Sequence, residues 1–175
     1  MAKLRKMLCD IDSPVCIALM RRIETQSKAT LAAWAIQYAK DHYLGIYETE
    51  CPEDPSLKET IISCEQYLDG SKKLSDIKPQ IRGAGQTARD LTDNPVAQAA
   101  ARAVSTACAA IQTPTNALGF LFYGAAAVAY SQAGLEESAE VYDNMAAQEL
   151  QNALTSLEQA SVPDEEHPVK INWNC

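Results

Sequence analysis

Histidine is nearly missing from this chain of 175 residues. The two present, His42 and His167, have no serine or cysteine partner in a recognisable hydrolase setting, so structural or solvated roles are expected of both. The six cysteines form no C-x-x-C pair and have no histidine pair at zinc spacing, which argues against a metal site. No E-x-x-H occurs for di-iron chemistry. The one glycine-rich stretch, GAGQ at residues 83 to 86, follows no strand and precedes no G-K-[ST]. Its glycines are assigned to close helix packing within a helical pattern. No catalytic residue and no cofactor is therefore expected.

Positive charge is also scarce. Fifteen Lys and Arg face twenty-three Asp and Glu, a net charge of −8. Phosphate binding draws its affinity from displaced counterions, so the balance disfavours nucleic acid, none is expected as a partner, and a basic protein is favoured. The best basic stretch, KLRKM at residues 3 to 7, is short and reads as a solvated arm.

Long apolar runs are lacking too. The residues from Ala103 to Leu135 are uncharged, but Gln112, Thr113, Pro114, Thr115 and Asn116 interrupt them, and the clean portion, Ala117 to Tyr130, is 14 residues long. A spanning helix needs about 20. Together with a start that lacks an apolar leader, this leads to the expectation of a chain in a reducing cytoplasm with free thiols. Alternating strand patterns are almost absent, and only two residues are Phe.

What remains is alanine and helix punctuation. Apolar residues reach 47% of the chain, much of it Ala, which suits helices in close approach. A capping residue followed by Pro recurs at Asp54-Pro55, Asn94-Pro95 and Thr113-Pro114, with Ser13-Pro14 as a further instance. Leu57, Ile61, Cys64 and Leu68 recur at helical spacing before a stop at Gly70, and Leu31, Trp34, Ala35, Tyr38 and Ala39 mark an amphipathic helix. A further helix carries Pro79 in its first turn, and a long last helix runs from Leu135 to Glu158, with Glu136, Glu137 and Glu140 at its positive end. These readings predict one all-α domain of six or seven helices around a buried Ala-rich hairpin, spanning residues 13 to 160. Residues 1 to 12 form an N-terminal arm, and residues 161 to 175, with Pro163 and Pro168, an irregular tail.

Local charge offers one surface of interest. Between Glu48 and Asp69 seven carboxylates face only Lys58 as a compensating charge, with Tyr43 and Tyr47 beside them. Glu48, Glu50, Glu53 and Asp54 are the candidate contacts for a basic protein partner.

The hairpin is the most specific passage. AAARAVSTACAAIQTPTNALGFLFYGA, residues 99 to 125, resembles the signature of the immunity protein family of bacterial polymorphic toxin systems, with Arg102, Pro114, Thr115, Ala117, Gly119 and Tyr123 at matching positions. DPSLKETIISCEQYLDG and IRGAGQTARD resemble the family's upstream helices and place Arg89 at a matching arginine. The resemblance covers most of residues 15 to 135. It implies a cytoplasmic helical protein that binds a cognate toxin without catalysis. Where the family pattern has two histidines, this chain has Gln112 and Asn116, and Asn116 is expected to cap a free backbone group in a first helical turn. Two other readings stay open: a small-molecule-binding bundle or enzyme with a pocket lined by Trp34, Tyr38, Phe122 and Tyr123, and a homo-oligomer joined through a tail carrying Ile171 and Trp173.

Overall fold

The structure, a computed structural model, describes residues 3 to 174. Among them the chain forms a single all-α bundle, with an isolated bridge between Ser27 and Pro168 as its one trace of β-pairing. Eight helical segments follow one another: α1 (Pro14–Ile23), α2 (Lys28–His42), α3 (Leu44–Glu50), α4 (Ser56–Leu68), α5 (Leu74–Asp90), α6 (Pro95–Ala109), α7 (Asn116–Ala133) and α8 (Ala139–Ala160). Only Tyr43 separates α2 from the two turns of α3.

The punctuation works largely as its chemistry requires. Ser13 accepts a hydrogen bond from the Cys16 N–H and Asn94 one from the Ala97 N–H, each with Pro at the next position, and Gly70, at φ +89°, follows α4. Thr113-Pro114 behaves differently. These residues form a tight turn, and α7 begins at Asn116, because the N–H groups of Asn116, Ala117 and Leu118 are taken by the carbonyls of Thr113, Pro114 and Thr115. The expected Asn116 cap is therefore not made: the backbone satisfies itself.

Two further expectations on α5 and one on α8 are corrected. α5 begins at Leu74, where the Asp76 carboxylate accepts from the Lys73 N–H, so Pro79 lies in the second turn. Gly83 is exposed, and a Cβ there would meet nothing within 4 Å, while one on Gly85 would meet Arg89 of the same helix at 3.6 Å, so neither glycine lets another helix approach; Ala84 and Ala88 are buried instead. α8 starts at Ala139 behind the Ser138 cap, leaving Glu136 and Glu137 in the preceding turn.

At the centre α6 packs against α7. Ala100, Ala101, Ala103, Val104 and Ala107 of α6 and Ala117, Leu121, Ala125 and Ala129 of α7 are all sealed from solvent. Small side chains let the two backbones approach, and burial on every side explains the missing charges. No helix of the described residues is long and apolar enough to cross a membrane. Leu31, Trp34, Ala35, Tyr38 and Ala39 bury the inner face of α2, with Trp34 and Tyr38 against Phe120 at ring-centre distances of 5.5 and 6.2 Å. Tyr123 lies elsewhere, under Arg102, so the pocket imagined around Trp34, Tyr38, Phe122 and Tyr123 is not assembled.

Both ends of the described chain close on the bundle. Leu8 is fully buried, its N–H bonded to the Phe122 carbonyl, and Tyr130 donates to the Arg5 carbonyl. An arm lying free in solvent is not what the structure shows, because Leu8 supplies apolar area that α7 needs covered. The tail is irregular but anchored. Gln26 exchanges two hydrogen bonds with the Val162 backbone, Glu165 accepts from the Ser27 N–H and the Thr30 hydroxyl, and Trp173 donates to Glu24 of its own chain.

Candidate functional site

The acidic edge is built on α3. Leu44 and Tyr47 bury its inner side, which turns Glu48 and Glu50 outward, and the connection to α4 adds the exposed Glu53. None of these three joins an ion pair among the described residues; Glu50 accepts one hydrogen bond from the Asn94 amide. Asp54 belongs to the fold instead. Its carboxylate accepts from the Tyr47 hydroxyl and from the Ser56 N–H at 2.9 Å, which caps α4. Partial burial pushes the Asp54 carboxyl up, but these hydrogen bonds outweigh it and hold the group below the ordinary carboxylate range. The Tyr47 hydroxyl is pushed up, first by burial and then by Asp54. Lys58 is not the only counter-charge of this region, since Lys40 of α2 pairs with Glu65 at 3.1 Å.

The residues of the family signature separate into two places. Arg102 of α6 lies over the Tyr123 ring of α7, 5.8 Å from its centre. Gly119 faces Thr106 across the hairpin, where an added Cβ would come within 3.9 Å of the threonine methyl. Pro114 and Thr115 shape the turn below, with Gln112 and Asn116 on either side of it. Arg89 stands apart, exposed on α5 and bonded to Gln86 one turn earlier.

One polar cluster escaped the sequence reading. Glu149 of α8 is buried, and the same oxygen of its carboxylate accepts from the Tyr38 hydroxyl at 2.9 Å and the Tyr43 hydroxyl at 2.6 Å. Burial raises both phenols above their ordinary range, and the neighbouring Glu149 charge adds to it. The His42 ring stacks on Tyr38 at 4.2 Å, and a groove beside Glu149 opens between α2, α7 and α8. The signal that could have found the cluster is the position of Glu149 on the inward stripe of α8, Tyr142, Ala146, Glu149, Ala153, where an acid must be satisfied internally. Two phenols held neutral against one carboxylate build a clamp joining α2, the α2–α3 junction and α8. Among the described residues no group of His, Cys, Asp or Glu is gathered as a metal-ligand set.

No curated protein and no solved structure matches the chain significantly. Residues 21–158, from the last turn of α1 almost to the end of α8, do match a family, described as Imm-5 like putative immunity protein. The match spans the hairpin, the acidic edge and the Glu149 clamp, well over half the chain, and on that extent the protein belongs to the Imm-5 like immunity protein family.

Proposed function

We propose that the protein is a non-enzymatic, cytoplasmic immunity protein that neutralises a cognate bacterial toxin by binding it directly, and that α3 and the connection to α4 form the contact edge. The observation that carries this reading is the trio of exposed carboxylates without ion pairs among the described residues, Glu48 and Glu50 on a short helix pinned to the core by Leu44 and Tyr47, and Glu53 on the connection that follows it. Fixed carboxylates on a chain of net charge −8 accelerate encounter with a basic partner and fix its register. Family membership supports the reading as well.

The test uses the basic C-terminal domain of a toxin encoded beside this chain. Co-expression of the intact protein should restore growth to cells making that domain. Replacing Glu48, Glu50 and Glu53 together by Lys should slow association and weaken binding about tenfold or more at low salt, with the loss shrinking as salt rises. Unchanged affinity removes this edge from the interface, and failure of the intact protein to rescue growth overturns the immunity reading itself.

A further inference from the structure

One pocket of this anionic chain is lined by cations. Between the stretch before α1 and the flank of α6 lies a cavity of about 300 Å³. Its wall carries Lys3, Arg5, Lys6 and Arg102, and no carboxylate lines it. The remaining wall is mostly apolar, from Leu4, Pro95, Ala99 and the Tyr130 ring. Four cations of a strongly anionic chain thus converge on one pocket.

Arg102 is the informative member. It is half-buried, its Nε is sealed from solvent with no hydrogen-bond acceptor, and no carboxylate pairs with it among the described residues. Its contact is the Tyr123 ring, which favours the charge but accepts no N–H in the guanidinium plane. A partly desolvated guanidinium is ordinarily paired, because an unmatched charge and an unmade hydrogen bond both cost free energy. Among the described residues Lys3 and Lys6 also have no ion pair, while Arg5 is paired with Asp143 at 2.7 Å. The wall therefore offers three uncompensated cations around an apolar floor.

We propose that this cavity binds a small organic oxyanion, a phosphate or carboxylate group carried on an apolar or aromatic body. The charged end meets Arg102, whose planar donors suit an oxyanion, with Lys3 and Lys6 at the rim. The apolar body lies along Ala99, Pro95 and Tyr130. A free small molecule fits better than a segment of the toxin for two reasons. The volume is at the low end of small-ligand pockets. A basic partner is also repelled by this face, which is independent of the acidic edge on α3. Glu136 and Glu137 line a neighbouring cavity, which shares Lys3, Leu4, Arg5 and Tyr130 with this one but not Lys6 or Arg102.

Calorimetric titration of the intact protein tests the assignment with four probes: phenyl phosphate, inorganic phosphate, benzyl alcohol, and the capped dipeptide acetyl-Phe-Glu-amide. Phenyl phosphate should bind about tenfold or more tighter than either inorganic phosphate or benzyl alcohol, since each of those keeps one half of the recognition. Arg102→Gln should weaken it about tenfold or more, the scale of one charge-assisted hydrogen bond. Because Arg102 also touches Tyr123, the Lys3→Ala/Lys6→Ala double variant at exposed positions serves as a second reading and should weaken binding with unfolding unchanged. Phenyl phosphate binding no tighter than benzyl alcohol, or unaffected in both variants, overturns the proposal. A dipeptide that binds tenfold tighter than phenyl phosphate overturns the free-ligand assignment and makes the pocket a peptide contact.

Discussion

The ring of Tyr43 occupies the place where residue 124 would carry a side chain. A Cβ built on Gly124 falls against Cζ and Cε2 of that ring, and its hydroxyl continues past the α7 backbone to Glu149. Glycine at 124 is thus the condition for a tyrosine at 43 to link the α2–α3 junction to α8.

Gly124→Ala follows directly. In an exposed helix the change gains about 1 kcal/mol of helix propensity, but Tyr43 is fully buried and cannot swing away. Overpacking of this kind costs about 1–3 kcal/mol or more, so the net effect is destabilising. A lower midpoint in chemical denaturation is the expected result.

The Glu149 clamp predicts an alkaline signature. Both phenols are raised above the ordinary value of 10.0 in the folded protein. Their stabilising contribution is therefore complete below about pH 10 and is lost as pH rises toward the folded values, because the unfolded chain ionises first. Stability measured from pH 8 to 11 should fall steeply in the native protein and less steeply in Tyr38→Phe/Tyr43→Phe. At neutral pH, Tyr43→Phe should cost about 1–3 kcal/mol, the range for a buried acceptor losing its donor.

The tail makes an opposite, acidic prediction. Burial pushes the Glu165 carboxyl up, but the bonds it accepts from Ser27 and Thr30 win and lower it, as those from Tyr47 and Ser56 do for Asp54. These contributions are complete above the ordinary values of 4.5 and 3.8 and disappear as pH falls through the lowered folded ones. Glu165→Gln should flatten the acid limb of the stability profile, and Glu165→Ala should cost about 1 kcal/mol through the hydrogen bonds lost from Ser27 and Thr30.

Stability and binding should also come apart along the acidic edge. Reversing Glu48, Glu50 and Glu53 should shift unfolding by no more than about 0.5 kcal/mol, as surface changes usually do. Asp54→Ala should cost about 1 kcal/mol through the α4 cap and the stranded Tyr47 hydroxyl. Denaturant midpoints of the four single variants measure the contrast.

Elements whose cause is local were legible in the sequence. Ser13-Pro14, Asn94-Pro95 and the spacing of Leu31, Trp34 and Tyr38 act within one or two turns, and the structure places them as their chemistry demands. Thr113-Pro114 misled because a run of consecutive backbone turns satisfies the same N–H groups a cap would serve. Gly83 and Gly124 look alike in sequence, and only the position of Tyr43, 81 residues earlier in the chain, distinguishes an exposed glycine from an obligatory one. For the same reason Glu149 could be suspected from its stripe on α8, whereas its partners on α2 and at the α2–α3 junction could not. The cationic cavity was hidden further, because Lys3 and Arg102 meet only after the N-terminal stretch has folded across α7.

That crossing also has a bearing on synthesis. The Arg5 carbonyl waits for Tyr130, 125 residues later, and Gln26 waits for Val162, 136 residues later. A ribosome thus releases α1 and Leu8 long before the surfaces that cover them exist. Half-made chains carry an uncovered seam along α1 and α2, so nascent chains stalled before α7 are the ones a chaperone should hold longest.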